Sequence, residues 1–380
     1  MKQTNLHQKS HLRELIALTL VPQLGAYRIR LLLQAAEEPQ EIFRLDKKTL
    51  MNVDGIGPKV SKTIQSFNDW EQVDEVIEKT EKVRATIITY LDDEYPDLLR
   101  EIYDPPMLLW VKGNVEVLSN PGIAIVGTRR ATSYGLEQAE SFAFELAKRG
   151  LTVTSGLALG VDAAAHKSTL KAGGKTIGVL GSGIDVIYPQ KHAGLVAEIV
   201  EKGGAVISEF PLGTPPDAGN FPERNRIVSG LTLGTLVVES GLKGGSMITA
   251  QSALTQNREV FVIPHSLDNA NGIGCNHLIK RAAGKLVQSV DDIFEEFSHF
   301  VLPQKDSREK SSKPKQPTWK NLDLDEEASA ICKALENGPL HIDDLGEKLE
   351  KSPHELLAKL LELEMMDCIR QKAGKNFELA

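Results

Sequence analysis

From Ile123 onward the chain repeats one unit: a short, almost wholly apolar run, a glycine-containing turn, then a longer stretch with helical spacing. The runs are IAIVG, LTVTS, TIGVLG, AVIS, TLVVES, EVFVIP and KLV. Strands without polar alternation are buried on both faces, and the helices between them supply the cover. The pattern therefore predicts a doubly wound α/β domain with a parallel sheet. Two earlier runs, ATIITY and MLLWVKG, extend that sheet, with Asp104-Pro105-Pro106 as the turn between them.

The flanking segments have other characters. Residues 1–80 form a helical domain with a weak internal echo, VPQLGAYRIRLLL from Val21 and VDGIGPKVSKTI from Val53. The second copy resembles a helix-hairpin-helix, whose glycine turn lets the next helix bring its amides to a DNA phosphate; the first has Gln23 where glycine is expected. After the α/β domain at 81–300, residues 301–320 combine Pro, Ser and Lys and read as a basic linker. Residues 321–380 hold three helical stretches and a terminal hairpin, the pattern of a winged helix. That last segment carries 7 basic against 14 acidic residues, so the overall charge of −8 leaves the central domain near neutral and able to concentrate cations locally.

No apolar run reaches the length needed to cross a bilayer, and the N-terminus lacks the apolar core of a signal peptide, which predicts a cytoplasmic protein without membrane contact. Cys275, Cys332 and Cys368 are widely spaced and unpaired in motif, so they read as packing residues rather than as a disulfide or zinc framework.

Ligands of open α/β sheets lie beyond the carboxyl ends of the strands. The first strand runs into Gly127, Thr128 and Arg129, and its Thr-Ser pair then caps a helix. Such a turn aims amides and the positive helix end at one spot, which suits an anion. The long loop after the fourth strand carries Phe221, Arg224, Asn225 and Arg226, and the fifth is followed by Lys243, Gly245 and Ser246. Glycines, hydroxyls and four cations at one sheet edge point to phosphate, and Phe221 offers either a stacking surface for a base or a core contact.

Enzyme motifs fail on spacing. A dinucleotide fingerprint on Gly181 and Gly183 needs glycine at Val186; AGGKT leads into a strand where a Walker motif leads into a helix; Ser182 lacks the flanking glycines of a nucleophile elbow. Asp162 and His166, at i and i+4, have no further ligand and read as a packing pair, with no metal. One enzyme alternative keeps the scaffold, a Rossmann-like nucleoside monophosphate phosphoribohydrolase. In its GGxGTxxE motif, however, the catalytic glutamate is here Gln251, which cannot ionise. The expectation is a binding protein without catalytic residues or cofactor.

Six segments in order, YPDLLREIYDPPMLLWVKG, IAIVGTRRAT, SGLALGVDAAAH, GSGIDVIYP, NFPERNRIVSGL and ESGLKGGSMITA, resemble the DprA (Smf) family of DNA-processing proteins. The resemblance implies an extended Rossmann-like domain between a SAM-like and a winged-helix domain. It also implies a homodimer that binds single-stranded DNA, loads the RecA recombinase and helps it past single-strand-binding protein during natural transformation. The family's basic pocket carries over onto Arg129, Arg224 and Arg226, supported by Thr128, Lys243 and Ser246. Lys191 stands one residue later than the family's usual lysine, and His265 and Ala283 replace or adjoin usual glycines.

Overall fold

The computed structural model describes residues 11–36, 38–297, 319, 324–349, 351–366, 368–372 and 376–379. Apart from Trp319, the expected linker at 301–320 lies outside them. The chain divides into two compact units, Met1–Asp306 and Ser307–Ala380.

The first unit is built on nine strands: β1 (Thr86–Thr89), β2 (Leu108–Gly113), β3 (Gly122–Val126), β4 (Thr152–Ser155), β5 (Thr176–Val179), β6 (Ala205–Ser208), β7 (Gly234–Val237), β8 (Glu259–Val262) and β9 (Lys285–Leu286). Each of the nine apolar runs supplies one. Their order is β1-β2-β6-β5-β4-β3-β7-β8-β9, parallel from β6 through to β9. β1 and β2 add to the β6 edge antiparallel, so the sheet is mixed at that end. All five residues of β3 are buried, with Ile123 and Ile125 in the core on one face and Ala124 and Val126 in the core on the other. From β3 the chain winds outward to β6, then returns to the far side of β3 as β7. The order therefore reverses between β3 and β7, and the crevice beyond their carboxyl ends is the place for a ligand.

Asp104-Pro105-Pro106 is not the hairpin turn expected. Tyr90 to Met107 intervene between β1 and β2 and include the helical turn Asp97–Arg100. This loop has a polar centre of its own: the Arg100 guanidinium donates to the carbonyls of Tyr90, Asp92 and Tyr95, and the Tyr95 hydroxyl donates to the Pro106 carbonyl at 2.8 Å.

The N-terminal helices are Leu12–Leu20, Ala26–Ala35, Lys47–Met51, Pro58–Gln65 and Trp70–Lys82. Their apolar core runs on into Ile87, Leu108, Trp110 and Val206 of the sheet, and Trp110 Nε1 donates to Thr80 Oγ1 at 3.1 Å. The sequence echo is also a structural one. Gln23 (φ 65°) and Gly55 (φ 75°) both take the left-handed conformation, and Leu24 and Ile56 after them are both buried. Gln23 thus adopts, at a steric cost, the turn that glycine adopts freely. Near the far edge of the sheet the left-handed residue is Ala282 (φ 51°), one position before the Ala283 singled out from the sequence.

In the second unit the helices Glu326–Ala334, Ile342–Leu349 and Pro353–Met365 pack around Ile331, Leu345, Leu356 and Leu360. The strands β10 (Leu340–His341), β11 (Ile369–Lys372) and β12 (Asn376–Leu379) form a sheet in the order β10-β12-β11. The terminal hairpin is β11–β12, and the two-residue β10 is an addition that HIDDL did not signal. This is a winged helix.

Candidate nucleic-acid interface

The turn after β3 is fixed from three sides. Thr128 N donates to the Glu239 carbonyl at 2.7 Å, Arg130 N donates to Thr128 Oγ1 at 3.2 Å, and Thr132 Oγ1 caps the helix Ser133–Lys148 by accepting from Gly135 N. A side chain at Gly127 would meet Val161 at 2.5 Å. The anion at this helix start belongs to the chain itself. The buried Glu239 carboxylate accepts from Thr132 N at 3.0 Å and from Thr132 Oγ1 at 3.1 Å. It lies so close to Gly135 that a Cβ there would stand 1.9 Å from Oε2. The helix terminus read from the sequence as a phosphate site is therefore occupied from within. Its effect is to hold the preceding loop rigid and present Arg129 outward.

Arg129 is exposed and, among the described residues, makes no ion pair. Its guanidinium lies over the Phe221 ring, 5.1 Å from the centroid, and the Tyr188 ring stands 5.9 Å from the same centroid. Phe221 itself is half-buried against Gly181 and so serves both as a packing residue and as a surface. Together with Asn225, Gly245 and Ile248 these side chains line an open cleft of about 460 Å³ over the switch point. Asn225 Nδ2 donates to the Gly245 carbonyl at 3.3 Å and closes one wall. A guanidinium on an aromatic face in an open cleft suits a phosphate joined to a flat base.

Sequence reasoning expected three arginines in one basic pocket, and only Arg129 lines it. Phe221 and Asn225, four apart on the helix Asn220–Gly230, face the cleft; Arg224 and Arg226 turn elsewhere. Arg224 is 4% exposed and donates to the carbonyls of Gly156 and Val179 beneath the sheet edge. Arg226 is paired with Asp104, Nε to Oδ2 at 3.0 Å, and with Glu209. Burial raises the Glu209 carboxyl and Arg226 opposes it. Ser246 is also turned inward, its hydroxyl 2.7 Å from Ser240 Oγ. Lys243 is exposed on a shallow groove beside the cleft, shared with Leu242, Met247 and Gln251, and Lys191 is exposed outside the cleft lining. Tyr188 and Glu239 are the residues the sequence reading missed.

Asp162 and His166 are both buried, but they do not meet as a ligand pair. Asp162 accepts from Gly156 N and Ala158 N at 3.1 and 3.2 Å, while His166 Nδ1 lies 2.6 Å from Thr176 Oγ1. Among the described residues no group of three His, Cys, Asp or Glu side chains is placed to hold a metal ion. Burial, reinforced by His192 and Arg224, drives the His166 imidazole from 6.5 down to about 3. A histidine kept neutral in the fold contributes stability above its unfolded value, and that contribution is lost as pH falls from 6.5 towards 3. Thermal melts over this window are expected to fall more steeply for the native chain than for His166→Asn; identical slopes would refute the assignment.

Residues 86–298 match the family of DNA recombination-mediator protein A, and residues 313–375 match the DprA winged helix domain. The chain is 40% identical over 285 residues to Protein Smf of Escherichia coli, covering 74% of each. It is 41% identical over 226 residues to the DNA processing protein DprA of Streptococcus pneumoniae, covering 60% of this chain and 79% of that one. The X-ray structure of the pneumococcal protein superposes with a TM-score of 0.66 at 35% identity, over 78% of this chain and 99% of that one. A structure of DNA processing protein A from Helicobacter pylori, described for its single-stranded DNA binding mode, superposes with a TM-score of 0.51 at 31% identity, over 56% and 96%.

Proposed function

The chain belongs to the family of DNA recombination-mediator protein A, and from that membership we propose that it binds single-stranded DNA in the cleft between β3 and β7. In this reading it acts in the cytoplasm as a homodimer that loads the RecA recombinase onto the bound strand and helps it past single-strand-binding protein. The observation that carries the reading is the Arg129–Phe221 pair at the switch point, flanked by Tyr188 and the amide edge of Gly245. A sequence-tolerant binder needs a cation for phosphates and aromatic faces for bases, and needs no base-edge code. Thr128, Lys243, Asn225 and Lys191 add polar contacts along the path, while Arg224 and Arg226 act by holding the cleft's floor and wall.

The winged helix contributes through protein contacts. Its helix Pro353–Met365 exposes Glu355 and Glu362, and its one lysine, Lys359, is engaged by Asp325 at 2.6 Å and Glu362 at 2.7 Å. Phosphates are repelled from such a face. The reading is also non-enzymatic, since Gln251 stands on an exposed helix face where a base-releasing enzyme needs an ionisable acid.

The test is a fluorescence-anisotropy titration of labelled oligothymidylate at several salt concentrations, followed by RecA strand exchange on DNA coated with single-strand-binding protein. Saturable binding that weakens with salt, stimulated exchange, and no base release from nucleoside monophosphates are expected. Failure to bind the oligonucleotide overturns the proposal.

A further inference from the structure

Away from the cleft, a stacked pair of aromatic rings beside a guanidinium lies at the described surface. Tyr103, in the loop before β2, is 72% exposed, and its ring lies nearly parallel to that of Tyr27, 16° apart with centroids at 5.1 Å. With one face covered by Tyr27, that degree of exposure leaves the other face open to solvent. The Arg30 guanidinium stands 5.5 Å from the Tyr27 ring, and its side chain reaches back to the Ile102 carbonyl at 3.5 Å. Two stacked rings beside a cation form a preorganised platform with one ring face turned to solvent.

The platform is tied to the cleft by the same helix. Asp104, next to Tyr103, binds Arg226, the residue after the cleft-lining Asn225, and Ile102 packs where Gly230 leaves room. At 1.5 Å of rise per residue, Arg226 lies about 8 Å along the helix axis from Phe221. The acids beside the platform are neutralised, Asp104 by Arg226 and Glu101 by Arg258 at 3.1 Å, so a polyanion meets no unpaired carboxylate from either. We propose that the Tyr103–Tyr27 stack is a second base-stacking site, which takes a nucleobase of the strand as it leaves the cleft toward the N-terminal helices. The inference rests on the cleft binding single-stranded DNA.

Tyr103→Ala removes an exposed ring and leaves the core untouched, and Tyr103→Phe keeps the ring; a melt of each verifies the fold. Affinity is read on two oligothymidylates, one of about six nucleotides and one of about 20. Tyr103→Ala is expected to bind the short strand like the native chain and the long strand about fivefold to tenfold more weakly, with Tyr103→Phe retaining native affinity. Native binding of both lengths by Tyr103→Ala overturns this inference alone and leaves the stack to a protein partner. Failure of the native chain to bind either length overturns the cleft reading and this one together.

Discussion

Arg224→Ala is expected to destabilise the α/β unit by about 3–5 kcal/mol, whatever it does to DNA binding. The guanidinium is folded into the protein: Arg224 donates to the Gly156 and Val179 carbonyls, while the carboxylate of Asp162 accepts from the N–H of the same Gly156. Two buried opposite charges thus bracket one glycine, at which a Cβ would stand 2.4 Å from Arg224 Nη1. Burial lowers the guanidinium to about 10, with Asp162 pushing back, so it stays charged at neutral pH. Truncation removes the charge that opposes the upward shift of the Asp162 carboxyl and leaves an uncompensated buried anion. A carboxyl whose folded value lies above its unfolded one costs stability as pH rises between the two. The deficit of the variant is therefore largest at neutral pH and shrinks as the solution is acidified into the carboxylate range. Urea unfolding at both pH values measures this. A variant that unfolds at the native urea concentration would return Arg224 to the role of a direct DNA contact.

The sequence held the sheet because its strands are buried on both faces. Ile123–Val126 or Leu236–Val238 needs to be apolar at every position, and such runs stand out without any alignment. Side-chain direction at the cleft was harder to read, because the helix Asn220–Gly230 has few apolar residues to set its phase. One signal was present: Arg224, Ile227 and Val228 fall on one stripe of i, i+3 and i+4, which places Arg224 on the face that carries the buried Ile227. An arginine in an apolar stripe marks internal partners, and the structure supplies the Gly156 and Val179 carbonyls, with the Asp162 charge nearby. Glu239 had no comparable local signal. Its partner Thr132 is 107 residues away, so nothing short of the sheet order assigns a glutamate at the end of β7 to the helix that follows β3. The double turn at Gln23 and Gly55 lies between these cases, since the echo was legible while the left-handed glutamine was not.

Arg129→Ala is expected to leave the fold unchanged and to weaken single-strand binding about tenfold or more at physiological salt. The side chain is exposed and, among the described residues, free of carboxylate partners, so its removal strands no buried charge, in contrast to Arg224. The loop that carries it is held by backbone and by neighbours that stay in place: Thr128 N on the Glu239 carbonyl, and Thr132 on the Glu239 carboxylate. What is lost is a phosphate contact and the cation above Phe221, whose ring remains to stack against a base. The salt dependence separates these effects. Each phosphate neutralised on a single strand contributes about −0.7 to the slope of log K against log salt, so the variant's slope is expected to be shallower by about that amount. Phe221→Ala, by comparison, is expected to weaken binding at an unchanged slope, because stacking releases no counterion. An Arg129→Ala protein that binds with native affinity and native slope would show that the strand does not pass through the switch-point cleft.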